Sequence, residues 1–278
     1  MKTNQISAIP DFVYGTAWKE DRTPALVELA LRAGFRAIDT ANQRRHYSEA
    51  GVGQALATAY RNGFVKRDDL FLQTKFTYQR GQDHRLPFDP ASPLATQVAQ
   101  SMASSLEHLG TDYVDSYVLH GPSSNYDWTE DDAEAWEAMR RERDAGRTLL
   151  LGVSNVALAH LQRLRTLRTE LPAFVQNRCY ARLAWDGAMR DFCREHKIVY
   201  QGFSLLTANQ EVLQHPLIAE IAKAAGASPA QVIFSFARSI GILPLTGTSN
   251  AEHMRQDLAS RELTLSAEAV DTIESISG

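Results

Sequence analysis

Eight short apolar runs, spread evenly between longer amphipathic stretches, constrain this chain more than any other feature. They are FVYGT (12–16), FRAID (35–39), LFLQTK (70–75), VDSYVLH (114–120), LLLGVS (149–154), AFVQN (173–177), IVYQGFS (198–204) and GILPLT (241–246). Each is brief and bounded by polar residues or by Gly and Pro, the pattern of strands buried on both faces. Between them, PALVELALRAG (24–34), LATQVAQSMASSLEHLG (94–110) and ASPAQVIFSFARSIG (227–241) carry apolar residues at helical spacing and stop near glycine. Eight strand–helix pairs in 278 residues predict an α/β fold, a closed (β/α)8 TIM barrel filling a single domain, residues 1–278. A doubly wound open sheet would carry a G-x-G-x-x-G turn after its first strand. GVGQAL (51–56) only begins that way, and it lies within SEAGVGQALATAY (48–60), which reads as a helix.

Composition narrows the partners. A formal net charge of -4 gives no support to nucleic acid or an anionic membrane. Basic residues cluster at RRERDAGR (140–147), but acids interrupt them, as on a solvated helix face. Two cysteines, Cys179 and Cys193, make no disulfide framework, and no C-x-x-C or paired-histidine spacing suggests a metal site. Both read as buried structural thiols. The N-terminus MKTNQISAIPDF lacks the apolar core of a signal peptide, and no apolar run nears the ~18–20 residues that span a bilayer. A cytoplasmic, reduced, monomeric protein is expected.

Polar residues stand at the C-terminal tips of the runs: Asp39, Lys75, His120, the pair Ser154–Asn155, and Gln176. Taken singly, Asp39 reads equally as a cap, Lys75 as a snorkelling side chain and His120 as a satisfied core histidine. Ionisable groups closing buried strands need partners. Together on one face of a barrel they point to a functional site. The long irregular stretches 76–93 and 121–132 also follow strands, on the face where barrels carry their active sites.

The chain resembles the aldo-keto reductases over nearly its whole length, from YGTAW (14–18) to GTSNAEHMRQDL (247–258). GFRAIDTA (34–41), LFLQTKF (70–76), YVLHGP (117–122) and LGVSN (151–155) match that family's segments in the family's order. The resemblance implies a barrel that reduces the carbonyl of a small aldehyde or ketone with a nicotinamide cofactor. It also implies an Asp, Tyr, Lys, His tetrad, with Asp39, Lys75 and His120 at the matching positions. The family's usual spacing from Asp to Tyr lands here on Arg44, which cannot donate a proton because its pKa exceeds ~12. The connection is about two residues longer than usual, and Tyr47 is the tyrosine it contains, so the acid is assigned to Tyr47. In that chemistry Lys75 lowers the pKa of the Tyr47 phenol, Asp39 holds Lys75, and neutral His120 orients the carbonyl. No metal is required.

By the same resemblance Ser154, Asn155 and Gln176 hold the nicotinamide carboxamide, and Phe203 stands where the family often stacks a tyrosine. Gly15, Thr16, Asp39, Ser204, Leu206, Gly247, Thr248, Ser249, His253, Gln256 and Asp257 complete the implied cofactor contacts. Trp18, Tyr47 and His120 border the substrate. NADPH-specific members commonly set a lysine and an arginine against the ribose phosphate; here those positions are Gly247 and His253. Backbone N–H groups at the helix start, the Thr248 and Ser249 hydroxyls, and Arg255 remain for a phosphate. NADPH is the expected cofactor, with NADH open. The short connection after FSLLTANQEVLQ leaves no room for a long belt over the cofactor, and the end at Gly278 implies a minimal C-terminal loop. Tyr78, Phe88, Tyr126 and Trp128 either line the pocket or pack their loops down. Two other readings compete: a cofactor-binding regulatory barrel without turnover, and a phosphate-binding isomerase or aldolase using Lys75 as a Schiff-base amine.

Overall fold

A computed structural model of the chain describes residues 9–276. The leader reading of the N-terminus, as far as Ala8, lies outside the described residues, as do Ser277 and Gly278. Eight parallel strands close into a barrel in sequence order: β1 (Val13–Gly15), β2 (Ala37–Asp39), β3 (Phe71–Phe76), β4 (Val114–Leu119), β5 (Thr148–Ser154), β6 (Phe174–Arg178), β7 (Val199–Phe203) and β8 (Ile242–Thr246). β1 pairs with β8 to complete the closure. All eight expected strands are present; the first two are trimmed to three residues each.

Side chains alternate between the barrel interior and the helix layer, as the strand pleat requires. Val13, Ala37, Phe71, Phe174, Leu243 and Leu245 form an apolar plug inside the barrel. Two residues further along β2, β3, β6 and β7 stand Asp39, Gln73, Gln176 and Gln201, a polar layer stacked on the plug. The alternate residues pack outward into the larger core beneath the helices, among them Tyr14, Ile38, Leu72 and Val175.

The stretch 48–60 is helical as expected, within Glu49–Arg61, and Ser48 caps it by accepting from Gly51 N–H at 3.2 Å. Gly53 sits in this helix because a second helix, Leu94–Leu109, passes over it. A Cβ at position 53 would lie 1.9 Å from the carbonyl oxygen of His108. Gly53→Ala is therefore expected to destabilise by about 2 kcal/mol or more, since overpacking outweighs the ~1 kcal/mol gain in helix propensity. Urea denaturation checks this; an unchanged midpoint would show that the helices separate freely.

The stretch 121–132 is shorter than read, because Thr129 caps a helix over Glu130–Asp144 and Asp132 belongs to its first turn. The basic segment 140–147 ends that helix, with Arg140 paired to Glu137, Arg143 to Glu170 and Arg147 to Glu142. Cys179 and Cys193 are buried free thiols, and burial pushes both up to about 12, which makes them unreactive. No helix among the described residues is long and apolar enough to cross a membrane.

Candidate active site

The strand tips converge on a cavity of about 810 Å³ at the C-terminal mouth of the barrel. Asp39, Tyr47 and His120 line its floor, and it runs past Ser154, Asn155, Gln176 and Phe203 to Gly247, Thr248, His253, Gln256 and Asp257. Trp18, Gly15, Ser204 and Leu206 also line it. Thr16 and Ser249 do not. Thr16 is fully buried, and its hydroxyl donates to the carbonyl of Asp39 at 2.9 Å.

Lys75 is completely buried and its ammonium makes three hydrogen bonds: to Asp39 Oδ1 at 2.7 Å, Asp39 Oδ2 at 2.7 Å and the carbonyl of Thr40 at 2.8 Å. Burial pushes its pKa down and Asp39 pushes back. Three acceptors around Nζ are satisfied only by the charged form. This geometry leaves no free amine for a Schiff base, so nothing here favours the aldolase reading. Asp39 is held further by two amides: Gln73 donates to Oδ1 at 2.7 Å and Gln176 at 3.0 Å. Both also donate to Gln201 Oε1 at 2.8 Å, and Gln201 returns a bond to Gln73 at 3.1 Å.

Tyr47 lies between Lys75 and His120. Lys75 Nζ is 5.2 Å from its ring centroid, and the two rings sit edge-on with centroids 5.8 Å apart. Arg44, the position given by the usual spacing, is exposed and turns away to His108 Nε2 at 3.1 Å. The run after Tyr47 explains why it stays in place. Glu49 is buried, accepts from the Thr74 hydroxyl and meets His108 Nδ1 at 3.1 Å, which ties the start of the helix to β3. The Tyr47 phenol is raised above its ordinary value, first by burial and then by Asp39. Lys75 spends its three hydrogen bonds on Asp39 and the Thr40 carbonyl, so its charge reaches Tyr47 across 5.2 Å and not through a hydrogen bond.

His120 is held well below the usual imidazole range, at about 3, by burial first and then by Lys75 and His46. It is therefore neutral at ordinary pH. Its Nδ1 meets the Thr77 hydroxyl at 2.7 Å.

Farther along, Asn155 adopts a left-handed backbone (φ 54) and spends both amide protons, on the His120 carbonyl at 2.8 Å and Ser154 Oγ at 3.1 Å. Gln176 likewise spends both on Asp39 and Gln201. Their amide oxygens have no partner among the described residues, so two acceptors face the cavity. At the other end Asn250 caps the helix Ala251–Ala259 by accepting from Glu252 and His253 N–H, and Thr248 accepts from Asn250 N–H at 3.2 Å. Most of the backbone donors expected for a phosphate are thus already used. Arg255 is exposed and paired with Glu252.

Lys19 was not anticipated from the sequence. It is partly buried in the cavity wall, and its ammonium donates to the carbonyl of Gly247. Its pKa is lowered by burial and by Arg22, and no carboxylate among the described residues pairs with it. The signal was present as a lysine directly after Trp18. Gln73 and Gln201 were also missed, although each stands two residues before a site residue on the same strand face.

The long loops flank the cavity without lining it. Tyr78 donates to Asp132 at 2.9 Å, Arg80 donates to the carbonyls of Pro122 and Ser123, and Phe88 and Trp128 are buried in the outer core. Tyr126 points to solvent, 88% exposed. The loop aromatics therefore pack the loops down. Trp18 stays 69% exposed, stacked on His46 with centroids 3.9 Å apart.

Comparison with known proteins agrees with this fold. Residues 13–277 match the model of the aldo/keto reductase family. The chain is 30% identical over 271 residues to an NAD(P)H-dependent 6'-deoxychalcone synthase from Glycine max, covering 91% of this chain and 79% of that protein. It is 30% identical to the methylglyoxal reductase DkgB of Yersinia pestis, covering 94% and 90% of the two chains. Among solved structures, an aldo/keto reductase from Brucella melitensis superposes with a TM-score of 0.80 at 28% identity, covering 96% and 93%.

Proposed function

Because the chain belongs to the aldo/keto reductase family, and is an NAD(P)H-dependent oxidoreductase by that membership, we propose that it reduces a small aldehyde or ketone to the alcohol at the mouth of the barrel, with Tyr47 as the proton donor. The observation that carries this reading is that Tyr47, Asp39 and neutral His120 line one cavity, with Lys75 buried behind it and paired to Asp39.

The cavity fits a nicotinamide dinucleotide. Two unpartnered amide oxygens, on Asn155 and Gln176, suit the N–H₂ of a carboxamide, and the Phe203 ring suits a flat heterocycle. An ammonium with no carboxylate partner among the described residues, Lys19, held at the Gly247 carbonyl, suits a phosphate in the same cavity that Thr248 and His253 line. Gln256 and Asp257 line the cavity too, with Asp257 accepting from the Thr246 hydroxyl at 2.7 Å, and would border the cofactor. NADPH is the preferred cofactor in this reading and NADH the alternative, since Gly247 brings no cation of its own. The relative from Glycine max is named for NAD(P)H dependence, which supports a nicotinamide cofactor and leaves both forms open.

When bound, the reduced nicotinamide supplies the hydride for the carbonyl carbon. His120 donates a hydrogen bond to the carbonyl oxygen and fixes its direction. Tyr47 keeps its proton in the resting site, because burial and Asp39 disfavour the phenolate. An alkoxide is more basic than a phenolate, so the phenol gives up its proton only as negative charge builds on the substrate oxygen. Lys75 then faces the phenolate as the nearest cation, and Asp39 with its two glutamine donors keeps that cation in place.

The test is oxidation of NADPH and NADH with a panel of reactive aldehydes, methylglyoxal among them because a relative is named for it. Turnover yielding one alcohol per cofactor oxidised is expected; tight cofactor binding without turnover across the panel speaks against the reading. The pH profile adds a second check. A folded pKa of about 3 for His120 keeps it neutral from pH 7 down through the ordinary imidazole range, so kcat/KM for a neutral substrate is expected to show no limb near pH 6.5. A falling limb centred there would mean that His120 titrates normally.

A further inference from the structure

The mechanism needs a neutral His120 that donates, and a neutral imidazole carries only one N–H. Resting on that reading of His120, we infer that Thr77 sets the ring's tautomer, with its hydroxyl donating to Nδ1 so that the single ring proton sits on Nε2, toward the carbonyl. Thr77 is a positioning residue: it does not line the cavity and acts through His120.

The Thr77 hydroxyl lies 2.7 Å from His120 Nδ1 and makes no other hydrogen bond among the described residues. Were Nδ1 protonated, the threonine oxygen would accept, and its own proton would be buried without an acceptor. Nε2 would then present a lone pair to the carbonyl oxygen, and the two would repel. With the hydroxyl donating, both groups are satisfied and Nε2–H is free, since Nε2 has no partner among the described residues.

The fold aims this hydroxyl. Thr77 and His120 are the first residues beyond neighbouring strands β3 and β4, paired at Phe76 and Leu119, and His120 N–H donates to the Phe76 carbonyl at 2.9 Å. The loop after β3 returns to hold Thr77: Gln82 donates to its carbonyl at 3.2 Å and to that of Asn42 at 2.7 Å. Gly81 leaves room for the Thr77 methyl, because a Cβ there would stand 2.7 Å from Cγ2. The long loop therefore acts on the chemistry through one side chain, while its aromatics stay out of the cavity.

The test combines nitrogen NMR of histidine-labelled protein without cofactor, His120 assigned through a His120→Asn sample, with kinetics of Thr77→Val and Thr77→Ser. Native His120 is expected to be protonated at Nε2 and bare at Nδ1. In Thr77→Val the two tautomers should mix, and kcat should fall roughly 10- to 100-fold, less than full loss of an oriented donor, with KM nearly unchanged. Thr77→Ser should restore both readouts, which a loss of packing alone would not explain. A native ring protonated at Nδ1, or a Thr77→Val protein with an unchanged tautomer, overturns the inference. The NMR readout needs no turnover, so its failure is distinguishable from failure of the functional reading.

Discussion

Replacing Lys75 with methionine is expected to abolish carbonyl reduction and to destabilise the fold by roughly 3–5 kcal/mol, the range for breaking a buried ion pair. For a chain of this size that lowers Tm by about 6–20 °C. The ammonium is fully buried with three hydrogen bonds, so its removal leaves Asp39 in the barrel with only Gln73 and Gln176 as donors. Desolvated charge without a counter-ion is the dominant penalty. Adding Asp39→Asn should recover part of the lost stability and none of the activity, because the coupling belongs to the pair and the phenolate still lacks its cation. Thermal and urea unfolding of both variants decide the matter. A Lys75→Met protein as stable as the native one would show that Asp39 is not held as described.

Tyr47→Phe is expected to lower kcat by about 10³-fold, within the ~10²–10⁴ attributed to a positioned general acid. The phenyl ring keeps the packing against Lys75 and His120, so cofactor affinity and fold should be unchanged. Arg44→Ala is the informative control. Arg44 is exposed beside His108, away from the cavity, and its loss should leave kcat within about twofold, as for most surface changes.

The barrel was legible because its signal is periodic: eight buried strands separated by helices leave few closed alternatives. Asp39, Lys75 and His120 were legible for the same reason, each ending a strand whose position was already known. Tyr47 was harder, because it lies on a loop where no periodicity fixes register. What places it is the capped helix behind it, with Ser48 and buried Glu49, and the contact of Arg44 with His108. The direction of the Tyr47 shift was not legible at all. It depends first on burial and then on the nearby Asp39 carboxylate, a matter of three-dimensional packing. Gln73 and Gln201 follow the two-residue alternation that places Lys75 and Phe203 inward, so the polar layer was readable from strand phase. Lys19 was not, since only the closure of β1 beside β8 brings it to Gly247. The loop aromatics show the limit of composition: Phe88 and Trp128 are core, and nothing in residue type alone separates them from pocket-lining rings.

The measurement that bears most directly on Tyr47 as proton donor is a single turnover with NADPH already bound, following cofactor absorbance after mixing native or Tyr47→Phe protein with excess aldehyde. The native protein should consume one equivalent of cofactor in a rapid phase, and the variant should hold the same cofactor and consume it about 10³-fold more slowly. Equal rates in the two proteins would contradict the assignment and move the proton donor elsewhere in the cavity.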